Sequence, residues 1–128
     1  MNALVSVTVL SLMQFFFFGA LVGKARAKLG VKAPSMSGPE AFERLVRVHL
    51  NTMERLVMFV PLLWMAGQFW NPLWVAAAGV LFLVGRVLYW RGYVRSPEQR
   101  SLGNVLTIVS IALLLLANFA GLGKSLLG

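Results

Sequence analysis

The sequence predicts an all-α integral membrane protein, one compact bundle of four spanning helices. Three observations carry this. Hydrophobic residues make up 59% of the 128 positions and charged residues only 12%, against about 25% charged in soluble domains. A soluble domain of this size leaves some 30% of its unfolded surface exposed, too much for this composition to tolerate in water. The apolar residues also fall into runs of spanning length separated by Gly and Pro breaks, and the bases cluster between runs. With 12 Lys+Arg against 4 Asp+Glu the net charge is +8, and bases so placed read as topology signals rather than a nucleic-acid footprint. Cys and Asp are absent and His occurs once. Disulfides, thiolate metal sites, a cysteine nucleophile, an Asp-dependent triad and a histidine metal cluster are therefore excluded.

The first run, Ala3 to Val22, is uncharged and about 20 residues long, enough for a hydrocarbon core of roughly 30 Å. Its bases, Lys24, Arg26 and Lys28, follow the core instead of preceding it, so it reads as a retained span over about residues 3–23 and not a cleaved signal. Gly30, Pro34, Gly38 and Pro39 predict a loop from Lys24 to Pro39, with Pro39 suited to open the next helix. Between Arg55 and Arg86 no charge intervenes and the strong break is Asn71-Pro72. This predicts a hairpin of two helices, 40–69 and 72–94. Ser96-Pro97 is a further break, and a fourth span follows over about residues 99–122, ending at Gly121 and Gly123. Loops one and three hold Lys24, Arg26, Lys28, Lys32, Arg91, Arg95 and Arg100 while loop two holds no base. Loops one and three are expected to be cytoplasmic and both termini on the opposite side. Trp70 and Trp74 would then mark the outer interface, and Tyr89, Trp90 and Tyr93 the inner one.

The second helix carries an unusual polar load for a membrane: Glu43, Arg44, Arg47, His49, Asn51, Glu54 and Arg55. A charge at the centre of a span costs about 2.5–3.5 kcal/mol on insertion scales, so such groups are expected to face protein or a wet cavity. At 100° per residue Glu40, Glu43, Arg44, Arg47, Asn51 and Glu54 share a stripe roughly 100° wide, whereas His49 points the opposite way, as a subunit contact would. Arg86, Tyr89 and Tyr93 share a face of the third helix. Glu43, Arg44, Arg91 and Arg95 read as interfacial, and Glu54 is the expected ion-pair partner of Arg86. One carboxylate cannot neutralise both Arg47 and Arg86, so the cluster is expected to accept an anion with several carboxylates. Gly19 and Gly23 form a weak GxxxG pattern, and Pro61 is a candidate kink in the second helix. There is no phosphate loop, and neither a metal nor a nucleic-acid partner is expected.

The string Glu43-Arg44-Leu45-Val46-Arg47-Val48-His49-Leu50-Asn51-Thr52-Met53-Glu54 resembles the membrane-associated proteins in eicosanoid and glutathione metabolism, the MAPEG family. So does Arg86-Val87-Leu88-Tyr89-Trp90-Arg91-Gly92-Tyr93 followed by Arg100, and together with Gly38-Pro39-Glu40 the likeness covers essentially the whole chain. It implies a homotrimer of four-helix subunits, with glutathione bound between neighbours near the cytoplasmic interface and a lipophilic electrophile arriving from the bilayer. Arg47, Asn51, Glu54, Tyr89 and Tyr93 match glutathione-contacting positions. Arg86 matches a motif arginine, Arg26 a basic-loop arginine, and Arg100 the arginine beside the glutathione sulfur, where a fixed cation favours thiolate. His49 resembles the microsomal glutathione transferase branch; the leukotriene-forming synthases carry glutamine there, and a tyrosine where this chain has Arg55.

These readings converge on a membrane glutathione transferase that activates glutathione as thiolate against lipophilic electrophiles and extends to reduction of lipid hydroperoxides. The nucleophile arrives with the co-substrate, which suits a chain without Cys. Two rivals differ in class. A non-catalytic lipid-binding or scaffold member of the same family would not need Arg100 and Tyr93, and a small multidrug transporter would need a carboxylate in its first span, where none is present.

Overall fold

The computed structural model describes residues 2–128. The chain forms α1 (Asn2–Leu29), α2 (Glu40–Phe69), α3 (Pro72–Arg95), a 3-10 turn (Pro97–Arg100) and α4 (Ser101–Leu127). Each helix starts and stops for a local reason. α1 ends where Gly30 adopts φ +70° and the Val31 N–H reaches the Arg26 carbonyl at 3.0 Å, a left-handed cap that places Val31 against the buried cluster of Val22, Phe42 and Val46. At the hairpin, the Asn71 side chain accepts from the Leu73 N–H at 2.9 Å and Pro72 occupies the first helical turn, where its missing donor costs nothing.

Two predicted boundaries are corrected. The loop after the first span begins at Gly30 rather than Lys24, because Lys24, Arg26 and Lys28 are good helix formers and Arg26 and Lys28 sit in the last turn of α1, where the helix dipole favours cations. Gly121 and Gly123 do not end the fourth helix, which continues to Leu127. Gly121 is buried and faces the Phe69 ring, so packing offsets the modest propensity cost of about 1 kcal/mol. α2 occupies the predicted 40–69 and passes through Pro61 without interruption.

Three helical segments, Asn2–Leu29, Pro72–Arg95 and Pro97–Leu127, are long and apolar enough to cross a membrane. α2 runs beside them with its charges gathered in its first half. α1 and α4 lie on opposite sides of the bundle, each against both α2 and α3, and the α3–α4 contact is the most extensive. The core below loop two contains Leu4, Val7, Phe59, Leu63, Ala66, Phe82 and Leu114, with the Phe59 and Phe82 rings stacked at 3.9 Å. Interhelical hydrogen bonds supplement it: Trp64 Nε1 to Thr8 Oγ1 at 2.8 Å, Ser110 Oγ to the Ala78 carbonyl at 2.8 Å and Asn118 Nδ2 to the Leu62 carbonyl at 2.9 Å. In lipid such bonds supply direction and on average about 0.6 kcal/mol each. Large apolar side chains such as Phe16, Val57, Leu73, Leu102 and Phe119 remain exposed around the bundle, as a lipid solvent permits.

Candidate functional site

Arg86 is completely buried between α2, α3 and α4, and what surrounds it corrects an expectation. Glu54 is not its partner: Glu54 is exposed, and the one ion pair among the described residues joins Arg44 to Glu40. Neutral oxygens take the guanidinium instead. Its Nη1 donates to Asn51 Oδ1 at 2.8 Å and Thr52 Oγ1 at 3.2 Å, and its Nε and Nη2 donate to Thr107 Oγ1 at 3.1 and 3.0 Å. Each threonine hydroxyl donates in turn to a carbonyl of its own helix, Thr52 to Val48 and Thr107 to Gly103, both at 2.8 Å. The hydroxyls thus accept from the cation with their lone pairs while their protons complete the network. The Tyr89 ring covers the guanidinium at 4.4 Å, adding a cation–π contribution in a dry site.

This geometry depends on close backbone approach. A Cβ on Gly85 would lie 2.8 Å from both the backbone nitrogen and Oγ1 of Thr107, and one on Gly103 would collide with the Tyr89 backbone. The two glycines let α4 bring Thr107 to Arg86. Gly92 likewise leaves room for the Gln99 carbonyl, so the 3-10 turn folds back on α3 and sets the Arg100 guanidinium 5.8 Å from the Tyr93 ring centre.

One end of the bundle therefore gathers most of the predicted site. Tyr89 and Tyr93 have ring centres 5.5 Å apart, with the Arg86 guanidinium over the first ring and that of Arg100 by the second, and Arg47 lies one helical turn before Asn51 on α2. Arg47 and Arg100 are exposed and Asn51 is half-buried. Because Arg86 occupies the Asn51 oxygen, the amide NH2 is left as the donor. Within one chain the polar stripe of α2 does not face an interior, contrary to expectation: Glu40, Glu43, Arg47 and Glu54 are exposed on the subunit surface. The buried Nε of Arg55 has no partner.

Two predicted residues lie apart. His49 stacks on Phe15 of α1 at 4.6 Å and 16°, above Gly19, whose missing Cβ leaves space for the imidazole. That contact uses half of the GxxxG pattern, while Gly23 touches nothing. Arg26 donates to the Ser35 carbonyl at 2.9 Å and lies over the Phe42 ring at 5.1 Å, which secures loop one. Tyr89, expected in an interfacial belt, is buried.

Sequence reasoning gave no role to Thr52 or Thr107. Thr107 stands out in hindsight as a polar residue four after a glycine in an apolar span, a spacing that lets its hydroxyl bond back along the helix. Arg44, read as interfacial, donates to the Val94 and Arg95 carbonyls at 3.1 and 3.4 Å and so satisfies the open end of α3.

Comparison with known proteins gives the family of the chain. The MAPEG family profile matches residues 4–120. Human microsomal glutathione S-transferase 2 is 36% identical over 124 residues, covering 97% of this chain and 84% of the human protein. Bovine leukotriene C4 synthase is 37% identical over 97 residues, covering 76% of this chain and 65% of the synthase. The Synechocystis protein sll1147 is 40% identical over 108 residues, 84% of this chain and 79% of that protein. With a family match over nearly its full length and a relative 36% identical over 97% of its residues, the chain is a member of the MAPEG family, and it folds as a membrane helical bundle.

Proposed function

We propose that the protein is a membrane glutathione transferase, and that Arg47, Asn51, Glu54, Tyr89, Tyr93 and Arg100 form its glutathione site. The observation that carries the reading is the set of charged groups without counter-charge at one end of the bundle. Among the described residues Arg47, Arg100 and Glu54 make no ion pair, Arg100 donating only to the Pro97 carbonyl, while Arg86 holds the Asn51 oxygen and leaves its NH2 as the donor. Glutathione carries two carboxylates, an ammonium and a thiol, and this set matches it group by group. Arg47 and the Asn51 NH2 suit the carboxylates, Glu54 suits the ammonium, and Arg100 is the cation available to the sulfur.

Bound glutathione supplies the nucleophilic sulfur. The protein holds the peptide, stabilises negative charge on sulfur through Arg100 while the proton leaves to water, and keeps the acceptor side open to the bilayer. The same thiolate chemistry extends to lipid hydroperoxides. Arg86 acts at one remove, by fixing the Asn51 oxygen and the Tyr89 ring. The exposed α2 stripe supports a homotrimer in which a neighbouring subunit covers it, bringing His49 or Arg26 of another copy to the site. The basic loops support a cytoplasmic location for it.

The test is chloride release from a chloronitroaromatic acceptor with purified protein and glutathione. Turnover is expected, with a loss of roughly tenfold or more in Arg47→Ala, the scale of one lost charged contact. Glutathione binding without turnover toward this acceptor or a lipid hydroperoxide would favour the non-catalytic reading.

A further inference from the structure

Apart from the Arg86 cluster, a groove of about 270 Å³ lies where the end of α1 meets the start of α2, walled by Leu21, Ala25, Leu29, Ala41 and Leu45 and lined also by Lys24 and Lys28. Its only polar side chains are therefore cations. Lys24 and Lys28 are exposed, stand one helical turn apart, about 6 Å along the axis, and make no ion pair among the described residues. Neighbouring acids are either absent or engaged. α1 holds none, and at the start of α2 Glu40 pairs with Arg44 while Glu43 accepts from the Gly38 N–H at 3.1 Å. An apolar trough rimmed by cations without counter-charge fits an amphiphile with a negative head.

Position decides which amphiphile. Lys24 is the first charge after the apolar run of α1, so the groove opens at the membrane surface, where phospholipid headgroups lie. Leu10, Gln14, Phe17, Leu21, Lys24 and Lys28 follow one another in steps of four and three, which puts them on one face of α1. Leu10, Gln14 and Phe17 line a larger apolar cavity of about 590 Å³ against α3. The face that carries cations at the surface thus offers an apolar recess deeper in the hydrocarbon. From Leu10 to Lys24 is about 21 Å at 1.5 Å per residue, more than one leaflet of a core of roughly 30 Å. On α2, Ala41 and Leu45 lie roughly 110° and 150° from the middle of the polar stripe, turned away from the surface that the proposed trimer would cover. We propose that the groove binds an anionic phospholipid of the surrounding bilayer, its two free phosphodiester oxygens bridging Lys24 and Lys28 while an acyl chain descends along α1. The site is independent of the glutathione reading and needs no thiol.

The test is native mass spectrometry of the purified protein in detergent with equal amounts of dioleoyl phosphatidylglycerol and dioleoyl phosphatidylcholine, which share their acyl chains and differ in head charge. The parent is expected to retain phosphatidylglycerol roughly tenfold or more over phosphatidylcholine, the scale of two lysine contacts. The double substitution Lys24→Gln with Lys28→Gln should bring the ratio to about one. Lys124→Gln, which removes a base beside Trp70 at the loop-two end of the bundle, should leave it unchanged. Ala41→Trp, which fills the groove and keeps both lysines, should also abolish the preference, so the test does not depend on one variant folding. Equal retention by the parent, a preference that survives the double substitution or Ala41→Trp, or one that Lys124→Gln removes as well, overturns the proposal. Dissociation of the oligomer in Ala41→Trp also overturns it, by assigning the groove to a second copy of the chain.

Discussion

At the scale of the residue, a buried cation held by neutral oxygens organises the site. Arg86 spends its Nε and Nη2 on a single hydroxyl, that of Thr107. Thr107→Val keeps the shape but leaves two charged donors without an acceptor, and is expected to destabilise the protein by about 3 kcal/mol. Thr107→Ser, which restores the oxygen, should recover most of it; thermal unfolding in detergent checks both. Arg86→Lys is expected to fail in a different way, because an ammonium cannot reproduce the guanidinium fork to three side chains on two helices. Its sign in glutathione titrations is weaker binding through a freed Asn51 amide, beyond any loss of stability. The sequence named Arg86, Asn51, Tyr89, Tyr93 and Arg100 because intramembrane polar residues and a family motif are visible without coordinates. It misassigned the partner of Arg86, since a carboxylate is the obvious counter-charge on paper, whereas two threonines and an asparagine answer only when three helices are superposed in depth.

At the scale of the element, α3 and α4 hold Arg86 against Thr107 because glycines let their backbones meet. Gly103→Ala is expected to force the helices apart at Tyr89 and cost about 1–3 kcal/mol as overpacking, with a parallel loss of glutathione affinity. Gly23→Ala, facing open space, should leave both unchanged; the pair is compared by unfolding and by calorimetric titration. Arg44 closes the carboxyl end of α3, so Arg44→Met should speed hydrogen exchange in the Val94–Arg95 region while leaving the α3 midsection protected. The helices themselves were legible from Pro and Gly punctuation: α2 and the start of α3 fall where the sequence predicted. What was not legible was which glycine stops a helix. Gly30 does so through its left-handed conformation, and Gly121 does not because Phe69 packs over it, a tertiary fact.

At the scale of the whole molecule, a chain of net charge +8 places exposed arginines without carboxylate partners at the end of the bundle where glutathione is proposed to bind. Affinity for glutathione should therefore fall as salt rises, because exposed charges are screened within a Debye length of about 8 Å at 0.15 M; titrations across ionic strength check this. The exposed stripe on α2 is expected to be covered in the assembled protein, and native mass spectrometry from detergent should yield a trimer. Charge and composition made the membrane fold legible at once. The surroundings of the candidate site were less so, because nothing in local sequence says what covers the exposed α2 stripe.

The central claim, that this fold turns glutathione into a nucleophile, rests on Arg100 beside Tyr93. The most direct test is the ultraviolet thiolate absorbance of the purified protein titrated with glutathione near neutral pH, parent against Arg100→Ala. The account predicts a saturable thiolate signal in the parent, at a pH below the roughly 8.5 at which a free thiol is half ionised, and its loss in the variant with binding largely retained. Glutathione that binds without forming thiolate, or a signal undiminished in Arg100→Ala, would contradict it.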